Sequence, residues 1–122
     1  MESGAFHGAG WQSGPVLIAT SFRQRWKGLK PRANGNGMLI PGRSVHSWGM
    51  KDPLLIIGLD AQRCVVGFRA LLPRRFACMP GASHILELPA EHMPPPHGSV
   101  LTWVDDGHRS LDPLRNPDRQ PE

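Results

Sequence analysis

Residues 54–72 read Leu54-Leu55-Ile56-Ile57-Gly58-Leu59-Asp60-Ala61-Gln62-Arg63-Cys64-Val65-Val66-Gly67-Phe68-Arg69-Ala70-Leu71-Leu72. Leu54 to Leu59 is an almost unbroken apolar run, too short for a core helix and flanked by Pro53 and Asp60. A run of that kind suits a strand covered on both faces. Asp60-Ala61-Gln62-Arg63 supplies a turn, and Cys64 to Leu72 returns as a second strand. The segment therefore predicts an antiparallel hairpin.

Working outward, short strands recur. Pro15 to Ala19, Met38 to Ile40 with the Pro41-Gly42 turn behind it, Ser83 to Leu88, and Ser99 to Val104 all read as strands. Val45 to Lys51 can run extended. Thr20 to Pro31 differs. Thr20 or Ser21 can cap a helix, Phe22, Trp26 and Leu29 recur at i, i+4 and i+7, and Gly28 and Pro31 end it. Pro89 to Met93 can form one helical turn. The spacings leave no room for crossover helices between most strands, so antiparallel pairing is favoured. The expected fold is mainly β, a small antiparallel β-barrel or sandwich with one short helix.

Composition agrees with that class. The chain has 122 residues, which favours a single domain, with 39% hydrophobic residues, 14 Gly and 13 Pro. Residues 1–14 are Gly-rich and read as a flexible leader, 15–104 as one compact β-rich domain, and 105–122, rich in Asp, Arg and Pro, as a disordered tail. No apolar run approaches the roughly 18 residues of a membrane span. The leader lacks the basic-then-apolar layout of a secretory signal, so the expected compartment is the cytoplasm and no membrane partner is expected. Cys64 and Cys78 are too few for a disulfide scaffold and are expected as reduced thiols.

Charge is uneven. Residues 1–104 hold 11 Lys and Arg against 5 Asp and Glu, near +6, and residues 105–122 hold 3 against 5, near −2. A basic body suits anions or nucleic acid as well as plain solubility. Arg23, Lys27 and Lys30 share one face of the expected helix, with Arg32 and Arg43 in the following loops, and Arg74-Arg75 can extend the patch. A nucleic-acid site usually adds exposed aromatic rings for stacking. Phe22 and Trp26 fall on the opposite, apolar helix face and are assigned to the core.

In an extended Val45–Lys51 segment, His46, Trp48 and Met50 share one face. That face can wall a small-ligand pocket with Arg23 or Cys78 at its rim, or pack as ordinary core. His46, Met50 and Cys78 together have the soft donors of a Cu(I) site, but zinc spacings are absent, so no metal and no cofactor is assigned. A Cys78–His46 nucleophile–base pair is the basis of an enzyme reading. Few carboxylates stand in the folded body (Asp52, Asp60, Glu87, Glu91), and no Gly-x-Ser-x-Gly elbow or phosphate loop occurs. The leading expectation is a non-catalytic binding domain. The alternatives are a small Cys/His-dependent enzyme and a basic module that contacts nucleic acid or protein.

The stretch Val45-His46-Ser47-Trp48-Gly49-Met50-Lys51-Asp52-Pro53 running into Leu54–Asp60 resembles the signature of the family called domain of unknown function 192. Ala19-Thr20 followed by Arg23, Arg25, Gly28 and Leu29 is similar to that family's opening strand and Arg-rich helix. Gly37-Met38-Leu39-Ile40, and Cys78 to Ala82 followed by Ile85 to Ala90, resemble two further segments in the same order. The resemblance covers residues 16–103. It implies a compact β fold with a helix and supplies neither cofactor nor catalytic residues. Leu55 stands where the family usually has Asp, and Met93 to Ser99 replace a Gly-rich segment.

Overall fold

The computed structural model describes residues 3–18, 37–48 and 50–105. The helix expected over Thr20–Pro31, with its apolar stripe and basic face, lies outside the described residues. So does the tail beyond Asp105.

The expected hairpin is present. Strand β6 (Leu54–Leu59) pairs antiparallel with β7 (Val65–Leu71), Leu54 opposite Leu71 and Ile57 opposite Phe68. Asp60 shapes the turn: its carboxylate Oδ1 accepts the Gln62 and Cys64 N–H groups at 2.9 Å each, and Arg63 adopts φ 63°. All of β6 is buried, as its unbroken apolar sequence requires. Leu55, Ile57 and Leu59 join one core cluster with Phe6, Leu86 and Leu101, whereas Leu54 and Ile56 join another with Met38, Ile40 and Ile85. The sheet thus separates two apolar layers.

Around this hairpin stand β1 (Ser3–Gly8), β2 (Trp11–Gln12), β3 (Val16–Ile18), β4 (Gly37–Pro41), β9 (His84–Pro89) and β10 (Thr102–Asp105). The strand order is β10-β1-β3-β4-β9-β6-β7, with β2 on β1. The sheet curls into a half-barrel. Its two ends meet where the Val65 and Leu101 N–H groups donate to Ser99 and Arg63 carbonyls, at 2.8 and 2.9 Å, beside a Cys64–Val100 bridge. The mainly β, barrel-like expectation holds, with one difference in pairing: β3 and β4 run parallel. Parallel neighbours need a crossover of about a dozen residues or more, and the long connection between Ile18 and Gly37 provides that length.

Residues 1–14 are not wholly a flexible leader. Strand β1 lies inside the sheet between β10 and β3, and Phe6 is 1% exposed, its ring 4.9 Å from Trp103. The glycines that suggest flexibility serve close approach here: a Cβ on Gly4 would run into the Trp103 ring and the Val104 carbonyl. Ser13 closes the β1–β2 hairpin, its hydroxyl accepting the Phe6 N–H at 2.9 Å. Asp105, the first residue of the expected tail, pairs with Gly4 and belongs to the sheet. Pro89–Met93 makes a single reverse turn instead of a helical one, His92 N–H donating to Pro89 C=O at 3.0 Å. Trp11 ties that turn down through its indole N–H, 2.6 Å from the Met93 carbonyl oxygen.

A separate two-stranded sheet, β5 (Ser44–His46) with β8 (Phe76–Cys78), covers the second core layer. Val45 and Ala77 face inward and are buried with Met79. By strand alternation Ser44, His46, Phe76 and Cys78 face away from the core. This cover carries the candidate site.

Candidate functional site

The extended reading of Val45–Lys51 holds only to His46. Ser47 is fully buried, and Met50 N–H turns back to the Ser47 carbonyl at 3.1 Å. Met50 consequently packs against the inner cluster, while Trp48 is 51% exposed. His46, Trp48 and Met50 do not share one face as regular alternation would place them. His46 and Trp48 do stay together: their ring centroids are 6.3 Å apart and the Trp48 N–H points at His46 Nδ1 at 3.4 Å.

The cause is Ser47. Its N–H donates to the Arg75 carbonyl at 2.9 Å, its hydroxyl donates to the Leu72 carbonyl at 2.6 Å, and the Arg75 N–H donates back to the hydroxyl at 2.8 Å. The Arg74 N–H reaches the Ser47 carbonyl at 3.3 Å. A buried hydroxyl so engaged fixes the 47–50 turn against the 72–75 turn, where Arg74 adopts φ 58°. A non-glycine residue in the left-handed region is held there at a cost of about 1–2 kcal/mol.

The β5–β8 register puts Phe76 directly opposite His46 and Cys78 opposite Ser44. Phe76 is 66% exposed. Sequence reasoning passed over it, because a three-residue strand has no periodicity to display. The rings of His46, Trp48 and Phe76 thus gather on one outer face, with Cys78 exposed at its other end. The Cys78 thiol is diagonal to His46, a separation of roughly 7–8 Å in such ladders, so the ring's immediate cross-strand neighbour is Phe76. Met50 packs against the inner cluster, whereas Cys78 is exposed. Among the described residues no three His, Cys, Asp or Glu side chains gather to hold a metal.

Exposed cations bracket this face. Arg43 adjoins the start of β5, its carbonyl accepting Met79 N–H at 2.7 Å; Arg74 and Arg75 lead into β8. Lys51 follows the Ser47 turn, with Asp52 the one acid beside it in sequence. Arg23, Lys27, Lys30 and Arg32 lie outside the described residues. No helix among the described residues is long and apolar enough to cross a membrane.

His84, at the start of β9, is a separate titrating group. Partial desolvation and, second, the nearby Arg63 charge hold its pKa below the usual 6.5. The folded chain therefore binds fewer protons here than the unfolded chain. This contribution to stability is present above pH 6.5 and is lost as the pH falls from there toward the folded pKa. NMR titration of His84 is expected to give a midpoint below 6.5, and Arg63→Gln to restore only the smaller part of the shift. A midpoint at or above 6.5 would contradict this.

A curled half-barrel, covered on one side by a two-stranded sheet with outward-facing rings, defines the class of protein: a small β domain offering an aromatic, basic face. A UPF0127 protein of Thermococcus sibiricus (strain DSM 12597 / MM 739) is 30% identical over 113 residues, spanning 83% of this chain and 73% of that protein. The chain belongs to the uncharacterised UPF0127 family. No family model matches it. Two crystal structures share the fold. One is a protein of Sinorhizobium meliloti 1021 proposed to be a transcription regulator, with TM-score 0.62 and 20% identity over 84% of this chain and 92% of that one. The other is a protein of unknown function from Novosphingobium aromaticivorans DSM 12444, with TM-score 0.60 and 19% identity over 84% of each chain.

Proposed function

We propose that this chain is a non-catalytic binding domain and that it makes contact through the outer face of β5–β8. The finer resemblance to domain of unknown function 192 belongs to the same reading, since it too implies a compact β fold and supplies no catalytic residue to carry over. The observation that carries the proposal is the exposure of Trp48 and Phe76 beside His46, in a fold that buries Phe6 and Trp11. Large rings held open to water by a rigid scaffold mark contact surfaces more often than solubility. Met50 packs against the inner core cluster and is not among the exposed rings.

The test is a probe panel on the full chain: single-stranded oligonucleotides, an acidic peptide, anionic lipid vesicles, a set of common metabolites and Cu(I). A Trp48→Ala/Phe76→Ala variant should melt within about 4 °C of the wild type, because exposed positions carry little stability. It should lose at least one probe that the wild type binds. Binding that is unchanged in the variant, or absent from the wild type, ends the reading.

A further inference from the structure

We propose that the outer face of β5–β8 is a platform for single-stranded nucleic acid, read without sequence preference. The inference rests on the binding-domain reading and names its ligand.

Three features of one face support it. The first is flat rings. Trp48 and Phe76 are 51% and 66% exposed, and His46 stands 6.3 Å from Trp48 and opposite Phe76 across the ladder. Every base has a π-face, so stacking on such rings holds bases of any identity. The second is charge complementarity. Arg43, Arg74, Arg75 and Lys51 are exposed in the segments that adjoin β5 and β8, with Asp52 the one acid among them. Guanidinium groups both pair with phosphate oxygens and stack on bases. The third is rigidity. The Ser47 hydrogen bonds fix the turn bearing Trp48 against the turn bearing Arg74 and Arg75, so the backbone that carries ring and cations is set before any ligand arrives. Arg74 is kept at φ 58°, where glycine or asparagine would sit at lower cost.

Other occupants fit less well. An anionic bilayer would draw on aliphatic side chains that reach the acyl boundary, and Leu72 is the one large exposed aliphatic residue between β7 and β8. Duplex readers insert a helix or a ribbon into a groove. Here the rings stand on a cover sheet of two three-residue strands, and stacking requires bases that are already unpaired.

Fluorescein-labelled dT15 and rU15, a duplex of equal length, an acidic peptide and anionic vesicles are the probes, read by anisotropy or sedimentation with the full chain at low salt. Both single strands should bind well above the duplex, and the ratio of dT15 to rU15 distinguishes a DNA from an RNA preference. Trp48→Ala and Phe76→Ala should each weaken binding about 10-fold, and Trp48→Phe should keep most of it. Arg74→Gln with Arg75→Gln should flatten the slope of log affinity against log salt by about 1.4, since each single-strand phosphate contact contributes roughly 0.7. Arg63→Gln, in the β6–β7 turn, should leave affinity within about twofold, as surface changes remote from a contact do. Melting curves of every variant verify the fold. Equal binding of duplex and single strand, or affinity that survives both ring substitutions, overturns the proposal. If the face takes the acidic peptide or the vesicles instead, this inference falls and the binding-domain reading stands. If no probe binds, this inference falls, and the binding-domain reading falls with it when the metabolites and Cu(I) also fail to bind.

Discussion

Replacing Glu87 by Ala is expected to cost about 4 kcal/mol of folding stability, more than any substitution on the candidate face. Glu87 sits in β9 between Leu86 and Leu88 and is 1% exposed. It pairs with Met38 of β4 on one side and Ile56 of β6 on the other. Both neighbours belong to the apolar layer under the β5–β8 cover, so the carboxyl group stands on that side of the sheet. A glutamate is almost never buried to this degree unless it has partners, and Glu87 does make an interaction within the fold. Its removal leaves a void and a partner that has lost its counterpart. Glu87→Gln keeps the shape and part of the hydrogen bonding, and should cost about 1–2 kcal/mol. Denaturant unfolding of both variants gives the ranking. A cost below 1 kcal/mol for the alanine variant would mean that the carboxyl group contributes little to the packing beneath the site.

The elements legible in the sequence are those whose signals are local. Leu54–Leu59 announces a strand covered on both faces, Asp60–Arg63 announces its turn, and both are found. Strands β4 and β9 were equally readable, the former from Met38-Leu39-Ile40 against Pro41-Gly42. What was not legible depends on partners far along the chain. Strand β1 has the composition of a linker, and only Trp103 and the Val104 carbonyl pressed against Gly4 explain why glycine is needed there. The parallel β3–β4 pair depends on the long connection between those strands, which no period-2 pattern reports.

The candidate site shows the same division. His46 and Trp48 were found from one short motif, and the structure keeps them adjacent. Alternation carried past His46 puts Met50 on the wrong face, because the strand ends there. Phe76 was missed because β8 is three residues long, and only the β5 register brings it to His46. Glu87 gave one signal that could have been read: a lone acid inside Ile85-Leu86-Glu87-Leu88, a strand otherwise apolar on both faces.

Ser47→Ala should cost about 3 kcal/mol and damage the candidate face without altering any side chain on it. Ser47 is fully buried, and its hydroxyl serves two main-chain groups of the next turn, the Leu72 carbonyl at 2.6 Å and the Arg75 N–H at 2.8 Å. Alanine fits the space, so the loss comes from the two orphaned groups, each worth about 1–3 kcal/mol when buried. The main-chain bond from Ser47 N–H to the Arg75 carbonyl survives the substitution, which keeps the loss toward the lower end of the roughly 2–6 kcal/mol that the two groups span together. The distribution of the damage is more diagnostic than its size. β5 and β8 form their own sheet and hydrogen-bond to each other, not to the half-barrel. The cover is seated through Val45, Ala77 and Met79 and joined to the turn after β7 through Ser47. Hydrogen exchange should therefore speed up at Trp48 and over Arg74–Cys78, while the amides of β6 and β9 change only by the global loss. Affinity for any probe held on this face should fall with it, because Trp48 and the Arg74–Arg75 turn would no longer be held in register. Uniform acceleration across the whole sheet would make Ser47 an ordinary core residue. A local acceleration that leaves affinity intact would separate the clamp from the binding surface.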